Sequence, residues 1–233
     1  MHHHLKASGE TCHWGFFDAT LKPRLTIKSG DRVTIETVTG GPEMHPPKEA
    51  GFYTPPEIAD VHAHAEKTLP GHILTGPIAI DGAKPGHVLE VRIEEVKLRQ
   101  DWGYTFIRPL AGTLPDDFHS FTLRHIALNR ETLEAKLPWG GTLPLSPFFG
   151  VMGTAPPKNW GRLTSLIPRS FGGNLDNKEL SAGPLCICRS LSRVRCFPAV
   201  TDMAHKETAR SASPPSKQLW KAPSPLFCAR ICP

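Results

Sequence analysis

A chain of 233 residues with 39% hydrophobic content has the size and composition of an ordinary globular protein that can bury a core. No apolar run is long enough to cross a membrane and the N-terminus lacks the apolar stretch of a signal peptide, so we expect a cytoplasmic protein with no membrane partner. The net charge of +5 at pH 7 would favour nucleic acid, but the distribution of that charge argues against such a partner.

Charge and cysteine content divide the chain into two parts. Residues 184–233 contain eight Lys or Arg against two acidic residues, whereas residues 1–183 are close to neutral. Five of the six cysteines also lie in residues 184–233, and Cys12 is the only one before them. We therefore expect residues 1–183 to form one structural domain or two closely packed β units, residues 184–233 to be a disordered tail, and the protein to have no nucleic-acid partner.

The first half of the chain has the pattern of short strands joined by turns. Residues 24–28 and 32–37 alternate apolar and polar side chains, and the Ser-Gly-Asp between them is typical of a turn. This predicts either a hairpin or a sharp strand corner. Residues 76–80 and 87–96 repeat the pattern around a second turn.

Helix is sparse, and two long segments have no periodicity. The one predicted helix is near residues 56–67, while the Pro-rich residues 40–56 and 138–157 are predicted to be long ordered loops. The expected fold class is therefore mainly β, sandwich-like or barrel-like with minor helix, and α+β at most.

Three histidines are candidates for chemistry. His62 and His64 form a His-x-His pair, which places two imidazoles on one side if the backbone is extended, and imidazole is a good ligand for zinc. His72 precedes Thr75-Gly76-Pro77, where glycine permits a close backbone approach to a ligand and proline stiffens the turn. The alternative for all three is a solvated or hydrogen-bonded histidine with a structural role.

Acidic and amide side chains beside glycines form the other candidates. Glu36 ends an alternating strand close to a Gly-Gly-Pro loop, where a carboxylate can act as a general base or metal ligand, although most such acids face solvent. Gly173, Asn174 and Asp176 combine a glycine turn with groups that can pair with both the donor and the acceptor of an amide. Taken alone, that composition is common in turns.

Several segments together resemble the acetamidase/formamidase family. They are TCHWGFFD at 11–18, the strand-turn-strand at 25–41, the segment 72–91 with HxLTGP and GAxPG, PFFGVMG at 147–153, and GGNLD at 172–176. The match covers most of residues 10–183 in the family's order. What the resemblance implies is an amidase that hydrolyses small linear amides of the formamide or acetamide type to a carboxylic acid and ammonia, with metal-assisted or carboxylate-assisted attack of water.

The resemblance also assigns site residues. Glu36, His72 and Asp176 are its candidates for catalysis and for holding zinc or another divalent metal. Gly76, Gly173 and Asn174 would shape the substrate pocket. His62 and His64 are weaker metal candidates that come only from their spacing. The family further implies a homo-oligomer for the full-length protein.

The departure from the family lies after residue 183, where relatives continue with a strand and a GDGH…QGDGE motif. Codons can be chosen for Ala199 to Arg210 that encode GDGHGTQGDGE when they are read one base out of frame. The same shift turns LCICR at residues 185–189 into LYLPV, the sequence of the family's strand. These two motifs support the loss of one nucleotide near residue 183 or 184. The chain as written would then lack part of its site and be inactive.

Two other function classes are compatible with parts of the sequence. One is a non-catalytic β protein in which His72 and Asn174 orient a small amide without hydrolysing it. The other is a nucleic-acid-binding protein, which rests only on the basic tail.

Overall fold

The computed structural model describes residues 1–111 and 114–183, together with the backbone of residues 185–189 and 195–199. The described part consists mainly of strands, which confirms the mainly β fold class. The strands in chain order are β1 (His2–Leu5), β2 (Cys12–Trp14), β3 (Phe16–Phe17), β4 (Leu25–Ile27), β5 (Arg32–Ile35), β6 (Glu66–Lys67), β7 (Ile73–Thr75), β8 (Ile78–Ile80), β9 (Val88–Arg92), β10 (Trp102–Ile107), β11 (Thr122–Asn129), β12 (Glu134–Lys136), β13 (Thr142–Pro144), β14 (Val151–Thr154), β15 (Leu163–Thr164), β16 (Gly172–Asn174), β17 (Leu185–Arg189) and β18 (Arg195–Ala199).

Helical structure in the described residues is limited to α1 (Glu57–His64) and three short 3₁₀ turns. The 3₁₀ turns are Pro42–Met44, Lys48–Ala50 and Lys158–Trp160. The predicted helix near residues 56–67 is thus confirmed, and it ends where β6 begins. Within the part of the chain that is described, no helix has the length and apolarity needed to span a bilayer.

The strands pair across long sequence distances. The largest sheet has the order β16-β14-β18-β8-β4, and a four-stranded antiparallel meander has the order β10-β11-β12-β13. A three-stranded sheet, β6-β2-β7, carries α1 against it, because Ile58 and Val61 of the helix pack with Trp14 and Ile73. The remaining described strands form the pairs β1-β5, β15-β3 and β17-β9.

The Ser-Gly-Asp turn makes a strand corner, one of the two predicted outcomes. β4 pairs in parallel with β8, whereas β5 pairs in parallel with β1, so the two strands diverge at the turn. Gly30 takes a φ of 84°, and the Asp31 carboxylate accepts a hydrogen bond of 2.9 Å from the Lys28 amide. The turn therefore sends one alternating segment into each of two sheets, which both face the largest apolar core.

That core holds buried aliphatic and aromatic side chains from several sheets. Ile27, Ile35, Val91 and Met152 belong to it, and each is at most 3% exposed. Full burial of a side chain of this kind contributes about 1.5–3 kcal/mol, so the core is the main reason that strands distant in sequence stay together.

One loop prediction is confirmed and the other is wrong. Residues 40–56 contain no strand and only two 3₁₀ turns. Residues 138–157, in contrast, contain β13 and β14. All four residues of β14 are buried, so its sequence shows no alternation between apolar and polar positions, and the flanking prolines concealed it.

Two segments of the predicted disordered tail are strands. β17 pairs antiparallel with β9 over five residues, and β18 pairs with β14 and β8. The rest of residues 184–233 lies outside the described residues, and both the disordered tail and the domain boundary at residue 183 stay predictions.

Candidate active site

A cavity of about 200 Å³ lies between the three-stranded sheet, the loop at residues 39–44 and strand β10. It contains one of the histidines singled out from the sequence, His72, and both glycines of the Gly-Gly-Pro loop. The residues that line it are Trp14, Thr39, Gly40, Gly41, Glu43, Met44, Lys67, Pro70, Gly71, His72, Ile73, Tyr104 and Phe106.

His72 is buried, and Ser165 contacts both its backbone amide and its ring. Its backbone amide donates to Ser165 Oγ at 3.0 Å, and its Nδ1 lies 3.1 Å from Ser165 Oγ and 3.2 Å from the Ser165 carbonyl oxygen. A carbonyl oxygen only accepts, so the contact with it requires the ring proton on Nδ1. In the neutral ring, Nε2 is then the nitrogen with the lone pair.

The backbone on either side of this pair is also fixed. Gly15 donates to the His72 carbonyl at 2.8 Å and accepts from the Ser165 amide at 2.8 Å. Gly71 takes a φ of 140°, and a Cβ there would lie 2.4 Å from Ser165 Oγ. The indole of Trp14 donates to the Gly71 carbonyl at 2.9 Å. The histidine therefore sits on a rigid part of the cavity wall.

The loop at residues 39–44 is fixed by three imidazoles that bind its backbone carbonyls. His62 Nε2 lies 2.9 Å from the Gly40 oxygen, His125 Nε2 lies 2.9 Å from the Met44 oxygen, and His45 Nε2 lies 3.3 Å from the Thr39 oxygen. The His45 and His62 rings are in edge contact, with centroids 5.2 Å apart. Burial, assisted by the neighbouring His62, lowers the pKa of His45.

The His-x-His pair does not act as a unit. Both residues lie on α1, where side chains two positions apart point in different directions, so the two rings do not share one side as they would on an extended strand. His62 stacks on Trp14 with centroids 5.6 Å apart and supports the cavity loop. The exposed His64 contacts the Asp60 carboxylate at 2.8 Å on the same helix.

The polar side chains of the cavity include one cation and one anion. Lys67 Nζ lies 3.8 Å from the centroid of the Trp14 ring, in cation–π contact, and Glu43 lies against Gly41. Thr39 adds a hydroxyl. Burial raises the pKa of Tyr104, so its phenol keeps its proton throughout the physiological range.

Glu36 lies outside this cavity and in an ionic network. Its carboxylate contacts His4 Nε2 at 2.8 Å and Arg99 at 3.5 Å, and Arg99 also pairs with Glu57 of α1. Thr75, three residues after His72, donates its hydroxyl to the Glu36 carbonyl at 2.8 Å. The network ties β1 and α1 to the three-stranded sheet.

The other glycine and polar candidates lie at strand junctions away from the cavity lining. Gly76 donates to the Thr11 carbonyl at 2.8 Å, and a Cβ at Gly173 would lie 3.1 Å from the Pro168 Cα. Asp176 takes a φ of 45°, a left-handed conformation that Asp tolerates, and its amide donates to the Gly150 carbonyl. The buried Asn174 Oδ1 has no hydrogen-bond partner among the described residues.

The structure does not group Glu36, His72 and Asp176 as metal ligands. In residues 1–111 and 114–183, no three His, Cys, Asp or Glu side chains come together in a group that could hold a metal ion. The described residues therefore do not by themselves fit zinc. Zinc binding stays a prediction from the family resemblance.

A larger groove, about 870 Å³, lies beside the β11–β12 hairpin. Charged side chains such as Glu95, Lys97, Arg130 and Glu134 line much of it, and none of the residues singled out from the sequence is among its lining. The smaller cavity is the better candidate site because it combines a buried, anchored histidine with a mixed polar and aromatic wall.

Sequence reasoning missed the aromatic wall of the cavity. Trp102, Tyr104 and Phe106 alternate along β10, a period-two signal that predicts one aromatic strand face. Lys67 is the last residue of the predicted helix and lies in β6 in the structure. Ser165 has no local sequence signal, because its contact with His72 joins residues that are 93 positions apart.

The chain is similar to known proteins in sequence and in fold. Residues 17–166 match the profile of the Acetamidase/Formamidase family. A recombinant predicted acetamidase/formamidase from Thermoanaerobacter tengcongensis superposes with a TM-score of 0.73 at 20% identity, over 99% of this chain and 70% of that one.

Two further solved structures have the same fold. An acetamidase from Bacillus halodurans gives a TM-score of 0.68 at 21% identity, over 98% of this chain and 70% of that one. A gamma lactamase from Delftia acidovorans gives a TM-score of 0.72 at 16% identity, over 99% of this chain and 68% of that one. A search of curated proteins found no match.

Proposed function

Because the chain belongs to the acetamidase/formamidase family, we propose that it is built to hydrolyse a small linear amide, of the formamide or acetamide type, to a carboxylic acid and ammonia. The proposed place of reaction is the cavity of about 200 Å³ that His72 lines. The observation that carries this proposal is the anchoring of His72 by Ser165 in the wall of that cavity, within a family of amidases.

The proposed role of His72 is that of general base. In this proposal Nδ1 donates to the Ser165 carbonyl, and Nε2 is the nitrogen that takes a proton from a water molecule as it attacks the amide carbon. The same proton then goes to the departing amide nitrogen, so that one water and one amide give one acid and one ammonia. Roles for Glu36 and Asp176, and metal assistance, stay predictions.

The polar groups around His72 match an uncharged amide. The carbonyl oxygen of an amide accepts hydrogen bonds, and its NH₂ group donates them. Lys67 supplies donors, Glu43 supplies acceptors, and the Thr39 hydroxyl can do either. One cation beside one anion leaves little net charge in the cavity, which favours a neutral ligand over an acid or an amine.

Ammonia release from formamide and acetamide tests the proposal. The assay compares the chain as written, the frame-restored protein and a frame-restored His72→Gln variant, with His119→Gln as the control because His119 is exposed and does not line the cavity. We expect release from the frame-restored protein and its control, and a loss of at least about 100-fold in His72→Gln.

The non-catalytic alternative predicts a different result. If amides bind to the frame-restored protein without any release of ammonia, the protein is a small-ligand-binding β protein and the proposed hydrolysis is wrong. Assembly of the frame-restored protein into a homo-oligomer is a separate proposal, which sedimentation analysis measures directly.

A further inference from the structure

Strand β10 presents a continuous row of aromatic rings. Trp102, Tyr104 and Phe106 are two residues apart and so lie on one face of the strand. The Trp102 and Tyr104 centroids are 6.3 Å apart, and those of Tyr104 and Phe106 are 6.4 Å apart with nearly parallel planes. Phe121 continues the row, with its centroid 6.0 Å from that of Phe106.

The row runs from the interior to the surface. Trp102 is fully buried and Tyr104 is 2% exposed, whereas Phe106 is partly buried and Phe121 is 53% exposed. Phe106, which lines the cavity and is not fully buried, leaves apolar surface that a ligand can contact.

Tyr104 and Phe106 form part of the cavity that His72 lines, where Met44 and Ile73 add apolar surface. At about 30 Å³ per water molecule, the cavity has room for about seven waters, which is more than formamide or acetamide would fill. The unfilled part would leave the Phe106 ring against water. A ligand with a flat apolar group next to its amide would cover that ring.

The polar and apolar parts of the lining would then bind different parts of one molecule. The amide group matches the polar side chains of the lining, which are those of His72, Thr39, Lys67 and Glu43. The rings of Tyr104 and Phe106 match an aromatic ring, which prefers an offset-stacked or edge-to-face contact with another ring.

We propose that the cavity also takes primary amides with an aromatic acyl group and binds them more tightly than acetamide, and that Phe106 determines this preference. The inference goes beyond the proposed function and, for hydrolysis, rests on it. Binding of the ring rests only on the cavity and does not require turnover.

Binding is therefore the test, measured by ligand-observed NMR titration on the chain as it exists. The probes are benzamide, cyclohexanecarboxamide, which has a ring of similar size without π electrons, and acetamide. We expect benzamide to bind at least about tenfold more tightly than acetamide and about threefold more tightly than cyclohexanecarboxamide. Equal affinity for benzamide and acetamide would overturn the proposal, and equal affinity for the two rings would overturn the choice of an aromatic group.

Substitution of Phe106 tests the assigned residue. Phe106→Ala should weaken benzamide binding about tenfold and acetamide binding less than about twofold. Phe106→Leu, which keeps an apolar side chain and so guards against misfolding, should remove the preference for benzamide over cyclohexanecarboxamide. Trp160→Ala, at an exposed aromatic outside the cavity, is the matched control. Benzamide affinity that is the same in all three variants and the unsubstituted chain would show that Phe106 does not determine specificity.

The two proposals fail in different ways. Tight benzamide binding without ammonia release from any amide, even in the frame-restored protein, contradicts the hydrolysis and leaves the ring preference standing. Ammonia release with equal kcat/KM for acetamide and benzamide contradicts the ring preference and leaves the amidase standing.

Discussion

Ser165 holds His72 at both its backbone amide and its ring, although the two residues are 93 positions apart in the chain. Ser165 is fully buried, so no water molecule is available to replace its hydroxyl. One side chain thus fixes both the position of the histidine and the orientation of its imidazole.

Ser165→Ala should therefore destabilise the fold and remove one contact of the ring. The buried His72 amide would lose its acceptor, which costs about 1–3 kcal/mol in the free energy of unfolding measured with urea. Thr164→Ala is the matched control, since the Thr164 hydroxyl accepts only from the exposed amide of Leu166, and it should cost less than about 1 kcal/mol. Nitrogen NMR of His72 should show a shifted Nδ1 signal in Ser165→Ala, because the ring loses its contact with Oγ and keeps the one with the Ser165 carbonyl oxygen; an unchanged Nδ1 signal would contradict the contact with Oγ.

Gly172 should be intolerant of any side chain. A Cβ there would lie 2.3 Å from the Met152 carbonyl oxygen, on the neighbouring strand β14, and the φ of 104° is itself unfavourable for other residues. We expect Gly172→Ala to lower the free energy of unfolding by about 3 kcal/mol or more.

Gly82→Ala separates these two causes. Gly82 also has a positive φ, 73°, but open space surrounds the position of its Cβ. Its substitution should cost only about 1 kcal/mol in the same urea experiment. Equal losses in the free energy of unfolding for Gly82→Ala and Gly172→Ala would mean that the close approach of β16 to β14 adds nothing to the cost of the positive φ.

Two buried histidines should make the fold sensitive to mild acid. Burial lowers the pKa of His13 to about 3, and burial also lowers that of His45. Below the unfolded pKa of about 6.5 the unfolded chain binds protons that the folded chain does not, so stability is lost as the pH falls from about 6.5 towards 3. The slope that His13 contributes approaches about 1.4 kcal/mol per pH unit, and His45 adds to it in the same direction.

The measurement is the free energy of unfolding at pH values between 5 and 8. His13→Phe should reduce the slope by about 1 kcal/mol per pH unit between pH 6 and pH 5, whatever its effect on absolute stability. His119→Gln, at an exposed position, should leave the slope unchanged. A slope that is unaffected by His13→Phe would show that His13 is protonated in the folded protein.

Resequencing of the coding DNA across residues 183–185 tests the shifted reading frame. One additional base would restore the family's GDGH…QGDGE segment, and the frame-restored protein should release ammonia from small amides while the chain as written should not. Bases that agree with the printed sequence, together with activity of the printed chain, would contradict the hypothesis.

Metal content is a separate prediction. The frame-restored protein should contain about one zinc or other divalent ion per chain, because the restored segment adds a histidine and acids, whereas the chain as written should contain little. Elemental analysis of both proteins after dialysis measures this directly. Equal metal content in the two would mean that the ligands lie within residues 1–183.

The sequence predicted much of the fold and only part of the site. The β4–β5 corner, the helix at α1 and the loop at residues 40–56 each have a local signal in alternation, turn chemistry or periodicity. β14 has no such signal because every residue in it is buried. His72 was predicted from its neighbours in sequence. Ser165 contacts His72, and Phe106 lines the same cavity, only because distant segments of the chain come together, which no local pattern encodes.

The way the loop at residues 39–44 is held has a consequence for how this protein can diverge. The three imidazoles bind carbonyl oxygens of the loop, a group that every amino acid possesses. Glu43 and Met44 can therefore be exchanged for other residues while the path of the loop is kept. A library randomised at these two positions should stay largely folded and yield altered ligand preferences, whereas replacement of His62 or His125 should rarely be accepted.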